Sequence, residues 1–232
     1  MDNLNIGNFI LYMVALIFSL SVHEAMHAWM SDRFGDDLAR HQGRVSINPV
    51  THVDPIGTLL FPAISFFTGA PLLGWARPTP VNPLRWRNKR VANFWVSIAG
   101  VIGNFTIAIV VGIVILVLFH ASAIGFVPDP RSYVGLVAAN PDSPIMEGVA
   151  KLLQSFFVMN VGLGVFNLLP IPPLDGSKIL SSILPESFTP AIEALEQYGF
   201  ILLFVAVFTG ILGVVFRFVI PLAWNTLLLG VY

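Results

Sequence analysis

The sequence predicts an all-α polytopic membrane protein. About five to six membrane helices are expected, one of them a short re-entrant segment, with a small β-sheet near the cytoplasmic face. Three observations predict this. Of 232 residues, 56% are hydrophobic and only 11% charged, with a mean hydropathy of +0.80, whereas soluble domains carry about 25% charge. Stretches free of Asp, Glu, Lys and Arg run from Asn3 to His23, Pro55 to Ala76, Val91 to Pro128, Leu152 to Leu174 and Gln197 to Phe216, and about 20 apolar residues suffice to cross a bilayer. The basic residues gather in a few short loops, as they do on the cytoplasmic side of membrane proteins.

These observations exclude a soluble enzyme, a nucleic-acid binder and a disordered chain. The net charge of −1 provides no global field for an acidic polymer. With no cysteine in the chain, disulfides, thiol catalysis and zinc–thiolate sites are ruled out. Met1-Asp2-Asn3 has no Lys or Arg, which is unlike a cleaved signal peptide, so the first span is expected to stay in the mature protein.

One domain covering residues 1–232 is expected, with no soluble appendage. Residues 7–29 read as a spanning helix, 92–120 as a span with tilt and 151–169 as a span of minimal length. Residues 191–230 read as either a hairpin of two helices breaking near Gly210–Gly213 or one long helix with an interfacial lead-in. The run 55–67 is short and contains Pro55 and Pro62, so a span and a re-entrant half-helix both fit it. Loop charge favours re-entry. Residues 77–90 hold Arg77, Arg85, Arg87, Lys89 and Arg90 with no acid, and residues 30–50 hold Arg33, Arg40 and Arg44. Both loops lie on the cytoplasmic side only if 55–67 dips in and returns, with the N-terminus outside and loop 121–150 outside. Gly43–Pro49 alternates, and Arg77–Pro83 has too many prolines to be helical. A small sheet from these two extended segments is therefore expected at the cytoplasmic face.

The chemistry is concentrated at His23-Glu24-Ala25-Met26-His27. Residues four apart share one face of a helix, so both imidazoles can reach one metal ion. Glu24, beside the first of them, can hold a water molecule and take its proton. This is the H-E-x-x-H pattern of zinc hydrolases. Three ionisable groups at the end of a spanning helix cost roughly 2.5–3.5 kcal/mol each on insertion scales, and metal binding offsets that. The bland reading is a polar helix end touching headgroups, with Trp29 as an interfacial anchor.

A site of this type needs a third ligand. The candidates are His41, His52, His120, Asp54, Asp175 and the glutamates. His41 reads as solvated surface, and His120 lies at the wrong end of its helix. Asp175 follows a proline-rich stretch at the end of the fourth span. The residues alone leave it open between a ligand and ordinary turn chemistry. Asp54 before Pro55 reads as a helix N-cap. His52 remains a candidate for lining the cleft.

His23-Glu24-x-x-His27, together with Asn167-x-x-Pro170-x-Pro172-x-Leu174-Asp175-Gly176, resembles the site-2 protease family of intramembrane zinc metalloproteases, peptidase M50. The likeness is greatest to the small prokaryotic branch without PDZ or CBS domains. The stretches 43–58 and 74–83 add to it, and it covers about residues 7–200. The resemblance implies one Zn2+ per chain held by His23, His27 and Asp175, with Glu24 as general base. It also implies that Asn167 holds the substrate backbone or the oxyanion. Similar proteins often have proline after the glycine of the third span, where Gly100-Val101-Ile102-Gly103-Asn104 has valine; Asn104 reads as helix-packing glue.

The function expected on this basis is hydrolysis of peptide bonds in or near transmembrane segments of membrane-anchored proteins. The chain is expected to be a multi-pass protein of a prokaryotic cell membrane, its site nearer the cytoplasm. Lipid and membrane-anchored proteins are the expected partners, nucleic acid is not, and the sequence sets no oligomeric state. An extended substrate could add as a strand beside 43–49 or 77–83, unless those segments are only scaffolding. The rival class is a metal transporter or a non-proteolytic metal-binding membrane protein. It would need ionisable groups along a path on both sides of the site; here they cluster on one side.

Overall fold

Among the described residues, four helices are long and apolar enough to cross a bilayer: α1 (Ile6–Arg33), α4 (Lys89–His120), α5 (Pro144–Leu168) and α9 (Ile211–Leu228). The structure, a computed structural model, describes residues 6–69, 74–129 and 133–229. The sequence readings at Met1–Asn3 and Gly230 fall outside the described residues. The remaining helices are α2 (Leu38–His41), α3 (Phe61–Thr68), α6 (Asp175–Ile183), α7 (Thr189–Gln197) and α8 (Gly199–Phe208).

The C-terminal region, left open between one helix and two, is broken twice. The segment 186–197, which includes α7, meets α8 at a bend of 64°. α8 and α9 part at Gly210, whose φ of 79° lies in the left-handed region that glycine enters without strain. The proline-bearing run begins as a π-helical turn, Pro55–Leu60, and continues into α3. Asp54 caps it as expected, its carboxylate accepting from the Ile56 and Gly57 N–H groups at 3.0 and 2.6 Å. At 1.5 Å per residue, Pro55–Thr68 covers about 21 Å, short of the roughly 30 Å hydrocarbon layer.

Helix α4 is the centre of the bundle and packs against α1, α5 and α6. Small residues let the backbones approach. Gly103 lies against Met26, where an added Cβ would come within 2.9 Å of Cγ, and Gly164 of α5 lies as closely against the Phe105 ring.

The expected small sheet is present but is built from other residues. β1 (Ile124–Asp129) and β2 (Tyr133–Ala138) pair antiparallel, Ile124 opposite Ala138. They follow the C-terminal end of α4, so the sheet lies at the opposite end of that helix from the basic loop 77–90. Two α5 side chains stitch it down: Leu136 N–H donates to Gln154 Oε1 and Ala138 N–H to Glu147 Oε2, both at 2.9 Å. Ile124, Leu136, Phe157 and Trp224 form the core there, with the two aromatic rings 4.5 Å apart.

Residues 43–49 and 77–83 form no strands. Pro78, Pro80 and Pro83 remove donors that a ladder requires, and three of the remaining N–H groups are used elsewhere. Arg77 N–H donates to His52 O at 2.8 Å, Thr79 N–H to Glu24 Oε2 at 2.8 Å and Asn82 N–H to the buried Asp36 carboxylate at 2.6 Å. The result is an extended strap bound across the end of α1.

Candidate metal centre

The i, i+4 spacing places His23 and His27 on the face of α1 that meets α4, and both are buried. Each ring is turned by an oxygen on α4. His23 Nδ1 lies 2.7 Å from Asn104 Oδ1, and His27 Nδ1 lies 2.6 Å from the Val96 carbonyl. A carbonyl only accepts, so His27 carries its proton on Nδ1. The Asn104 amide is oriented in turn: its Nδ2 donates to Asn160 Oδ1 at 3.0 Å and to Ser19 O at 3.3 Å, which leaves Oδ1 to face His23. Asn160 is itself fixed by donating to Phe156 O and Ser19 Oγ, both at 2.8 Å. With each ring neutral and its proton on Nδ1, both Nε2 atoms present lone pairs.

Those two Nε2 atoms stand 3.0 Å apart, and each lies 3.2 Å from Asp175 Oδ2. Asp175 is the first residue of α6, and its buried Oδ2 has no hydrogen-bond partner. Three acceptors at this separation repel one another unless a cation lies among them. With ligand bonds of about 2.0–2.1 Å and tetrahedral angles, zinc donors sit about 3.3 Å apart, close to the spacing found here. The donor set, two imidazoles and a carboxylate, suits Zn2+. Among the described residues it is the one group of three such side chains able to share an ion.

Two glycines make the triangle possible. A Cβ on Gly100 would lie 2.6 Å from both His23 Cε1 and His27 Nε2, so α4 must be bare there. A Cβ on Gly176 would lie 2.3 Å from the carbonyl oxygens of Leu168 and Leu169, so only glycine lets α6 dock on the end of α5. Gly100→Ala is expected to lower zinc affinity about 10–100-fold, the equivalent of 1–3 kcal/mol of overpacking. Competition against a chromogenic chelator measures it, and wild-type affinity would show that the rings do not rest on α4.

Glu24 is half-buried, and its Oε2 accepts the Thr79 N–H. Thr79 Oγ1 also donates to the Glu24 carbonyl at 2.9 Å, so the strap grips this residue twice. Asn167 is not brought to the triangle by any hydrogen bond: its Nδ2 donates to Leu163 O one turn back at 3.0 Å. His52 is buried, with Nε2 2.7 Å from Ser46 O and no partner for Nδ1. Burial pushes its imidazole below the usual range, so it is neutral at pH 7. Its carbonyl holds the strap at Arg77. His41 is exposed and pairs with Asp37, while the exposed His120 bonds its own helix at Leu116 O.

The chain thus has the fold of a polytopic helical membrane protein and, at the helix junction, a cluster of two histidines and one carboxylate that could hold a metal ion. It matches the description "Peptidase family M50" over residues 11–209, and it belongs to that family. It is 36% identical over 200 residues to "Putative zinc metalloprotease YwhC" of Bacillus subtilis (strain 168), covering 86% of this chain and 80% of that one. It is 28% identical over 204 residues to "Putative zinc metalloprotease Rip2" of Mycolicibacterium smegmatis, covering 88% and 69%. Identity to the protein of the same name from Mycobacterium tuberculosis (strain H37Rv) is also 28%, over 86% and 67%. No solved structure matches the chain. The protein is a zinc metalloprotease of the membrane.

Sequence reasoning missed the second tier of the site. No local motif in the sequence marks Asn160, and Asn104, which reads as packing glue, joins helices and also turns His23. Thr79 lies in a proline-rich segment with no motif of its own. The available signal was the pair of amides inside otherwise apolar helices, where a polar group demands a partner.

Proposed function

We propose that the protein is a zinc-dependent intramembrane endopeptidase that cleaves membrane-anchored proteins in or near their transmembrane segments. The observation that carries this is the triangle of three acceptor atoms 3.0–3.2 Å apart, two of them on α1, a helix long and apolar enough to cross the bilayer, and the third on α6. His23, His27 and Asp175 are the metal ligands. When bound there, zinc supplies Lewis acidity, making water a better acid and a peptide carbonyl a better electrophile.

The chain's own residues do the rest. Glu24, adjacent to the first ligand, takes the proton of the attacking water and passes it to the leaving amine. The Thr79 N–H holds one oxygen of that carboxylate, which keeps the other turned to its task. Asn104 and Val96 keep the imidazole protons on Nδ1, so that Nε2 stays a ligand. Asn167, on the last turn of α5 before the Asp175 loop, has an amide suited to holding the substrate carbonyl. His52 supports the cleft by anchoring the strap. A helical substrate hides its carbonyls, so it must unwind to present one; the strap 77–83 is the extended backbone beside which it would lie.

The metal centre sits toward the end of the bundle that carries the basic loop 77–90. By the count of Lys and Arg that end faces the cytoplasm of a prokaryotic cell, with the N-terminus outside. The segment Pro55–Thr68 enters and returns on that side, as its short length favours.

The test uses the full chain in liposomes with a membrane-anchored reporter protein. Cleavage is expected, with complete loss on zinc chelation and recovery on adding Zn2+. A chain that binds Zn2+ stoichiometrically, moves it across the vesicle wall and leaves every reporter intact would refute the endopeptidase reading in favour of transport.

A further inference from the structure

Helix α6, nine residues long, carries the carboxylate ligand at its first residue and ends at Ile183. The last carbonyls of a helix need outside partners. A glycine cap usually supplies them, but here the C-cap Leu184 is extended and Pro185 follows, with no N–H to offer. The partner comes from α4 instead. Arg90 Nε accepts no bond but donates to Ser182 O at 2.7 Å, and its Nη2 donates to Ile183 O and Leu184 O at 2.9 and 2.8 Å. One turn on, Asn93 Nδ2 donates to Ser182 Oγ at 2.9 Å and Lys178 O at 3.1 Å.

α6 is therefore clamped at two points. Gly176 is seated on the α5 carbonyls at one end, and Arg90 holds the other, about 12 Å away at 1.5 Å per residue. Positions 90, 93, 97, 100 and 104 recur at intervals of three and four along one face of α4. That face thus holds the end of α6 through Arg90 and Asn93, seats both imidazoles at Gly100 and orients His23 through Asn104. With Gly176 as the pivot, a tilt of α6 released at Arg90 would turn the adjacent Asp175 carboxylate relative to both Nε2 atoms, which it meets at 3.2 Å.

We propose that Arg90, assisted by Asn93, is a positioning residue for the metal site: by fixing the far end of α6 it sets where Asp175 stands against His23 and His27. This rests on the reading of those three residues as metal ligands. An arginine is suited to the task because its planar fork serves several carbonyls at once, whereas a lysine ammonium acts as a point charge.

The experiment measures Zn2+ affinity of the full chain in nanodiscs by competition with a chromogenic chelator, together with the visible spectrum after loading with Co2+. Arg90→Ala is expected to weaken zinc binding about 10-fold, the low end of the range for losing a group that bonds a ligand directly, because Arg90 acts through α6, and to change the Co2+ absorption. Arg90→Lys should fall between. Trp224→Ala, in the core at the opposite end of the bundle, controls for general loss of stability. It should lower the thermal midpoint while zinc affinity stays within about twofold of wild type. If Arg90→Ala does not fold, Arg90→Lys and Asn93→Ala carry the comparison against the same control. The proposal is overturned if the clamp variants stay within twofold of wild type, if Trp224→Ala loses as much affinity as they do, or if the Co2+ spectrum is unchanged. A wild-type chain that binds no Zn2+ would instead overturn the ligand assignment beneath it.

Discussion

Glu24→Gln is expected to lower reporter cleavage by about 10²–10⁴-fold, the usual contribution of a general base, while zinc affinity stays at the wild-type level. Glutamine keeps the length and planarity of the side chain. It also keeps an oxygen for the Thr79 N–H, which lies 2.8 Å from Glu24 Oε2. What it loses is the ability to take a proton. Glu24 is not one of the three groups whose acceptor atoms converge, so the metal should stay in place. Cleavage rate and zinc content measured on the same preparation separate the two roles. If the variant cleaved at the wild-type rate, the base would have to be found elsewhere. A loss of zinc along with activity would make Glu24 part of the metal's holding instead.

Asp175→Ala should give the largest loss of metal. It removes the one anionic donor of the triangle and leaves two neutral imidazoles 3.0 Å apart. Removing an outer-sphere contact costs about 10–100-fold in affinity, and losing the ligand itself should cost more than that. Cleavage should disappear with the metal. The vacated space lies beside the Asp175 backbone at the start of α6, and among the described residues no other His, Cys, Asp or Glu joins that cluster. Zinc affinity by competition, with circular dichroism to show intact helices, checks the outcome. Undiminished zinc binding in a folded variant would mean that Asp175 is not a ligand and that the triangle has another purpose.

Much of the site was legible because its chemistry is local. His23 and His27 lie four apart on one helix, and helical geometry alone makes them neighbours; Glu24 comes with them. Asp175 is 148 positions beyond His27, and no periodicity joins the two. The residues by themselves left it open between ligand and turn, and the likeness to a family was what pointed to the site. The structure then brought its Oδ2 within 3.2 Å of both rings. The sheet went the other way. Alternation at 43–49 and extension at 77–83 predicted strands, but a strand needs a partner with free N–H groups. The prolines of the second segment had too few, and Arg77, Thr79 and Asn82 gave theirs to His52, Glu24 and Asp36.

What the sequence determined by itself was the solvent and the histidine pair. Charge-free runs long enough to cross a bilayer require lipid around them, and the i, i+4 histidines require a shared face, because both follow from short-range regularities of a helix. The tertiary structure alone decided which oxygens turn those rings, which carboxylate completes the triangle and what holds α6 in place. Asn104, Asn160, Val96, Thr79 and Arg90 act across distances of 55 to 141 residues in the chain. Their partners are chosen by how α1, α4, α5 and α6 pack, a many-body outcome of shape and buried hydrogen bonding that no local pattern encodes.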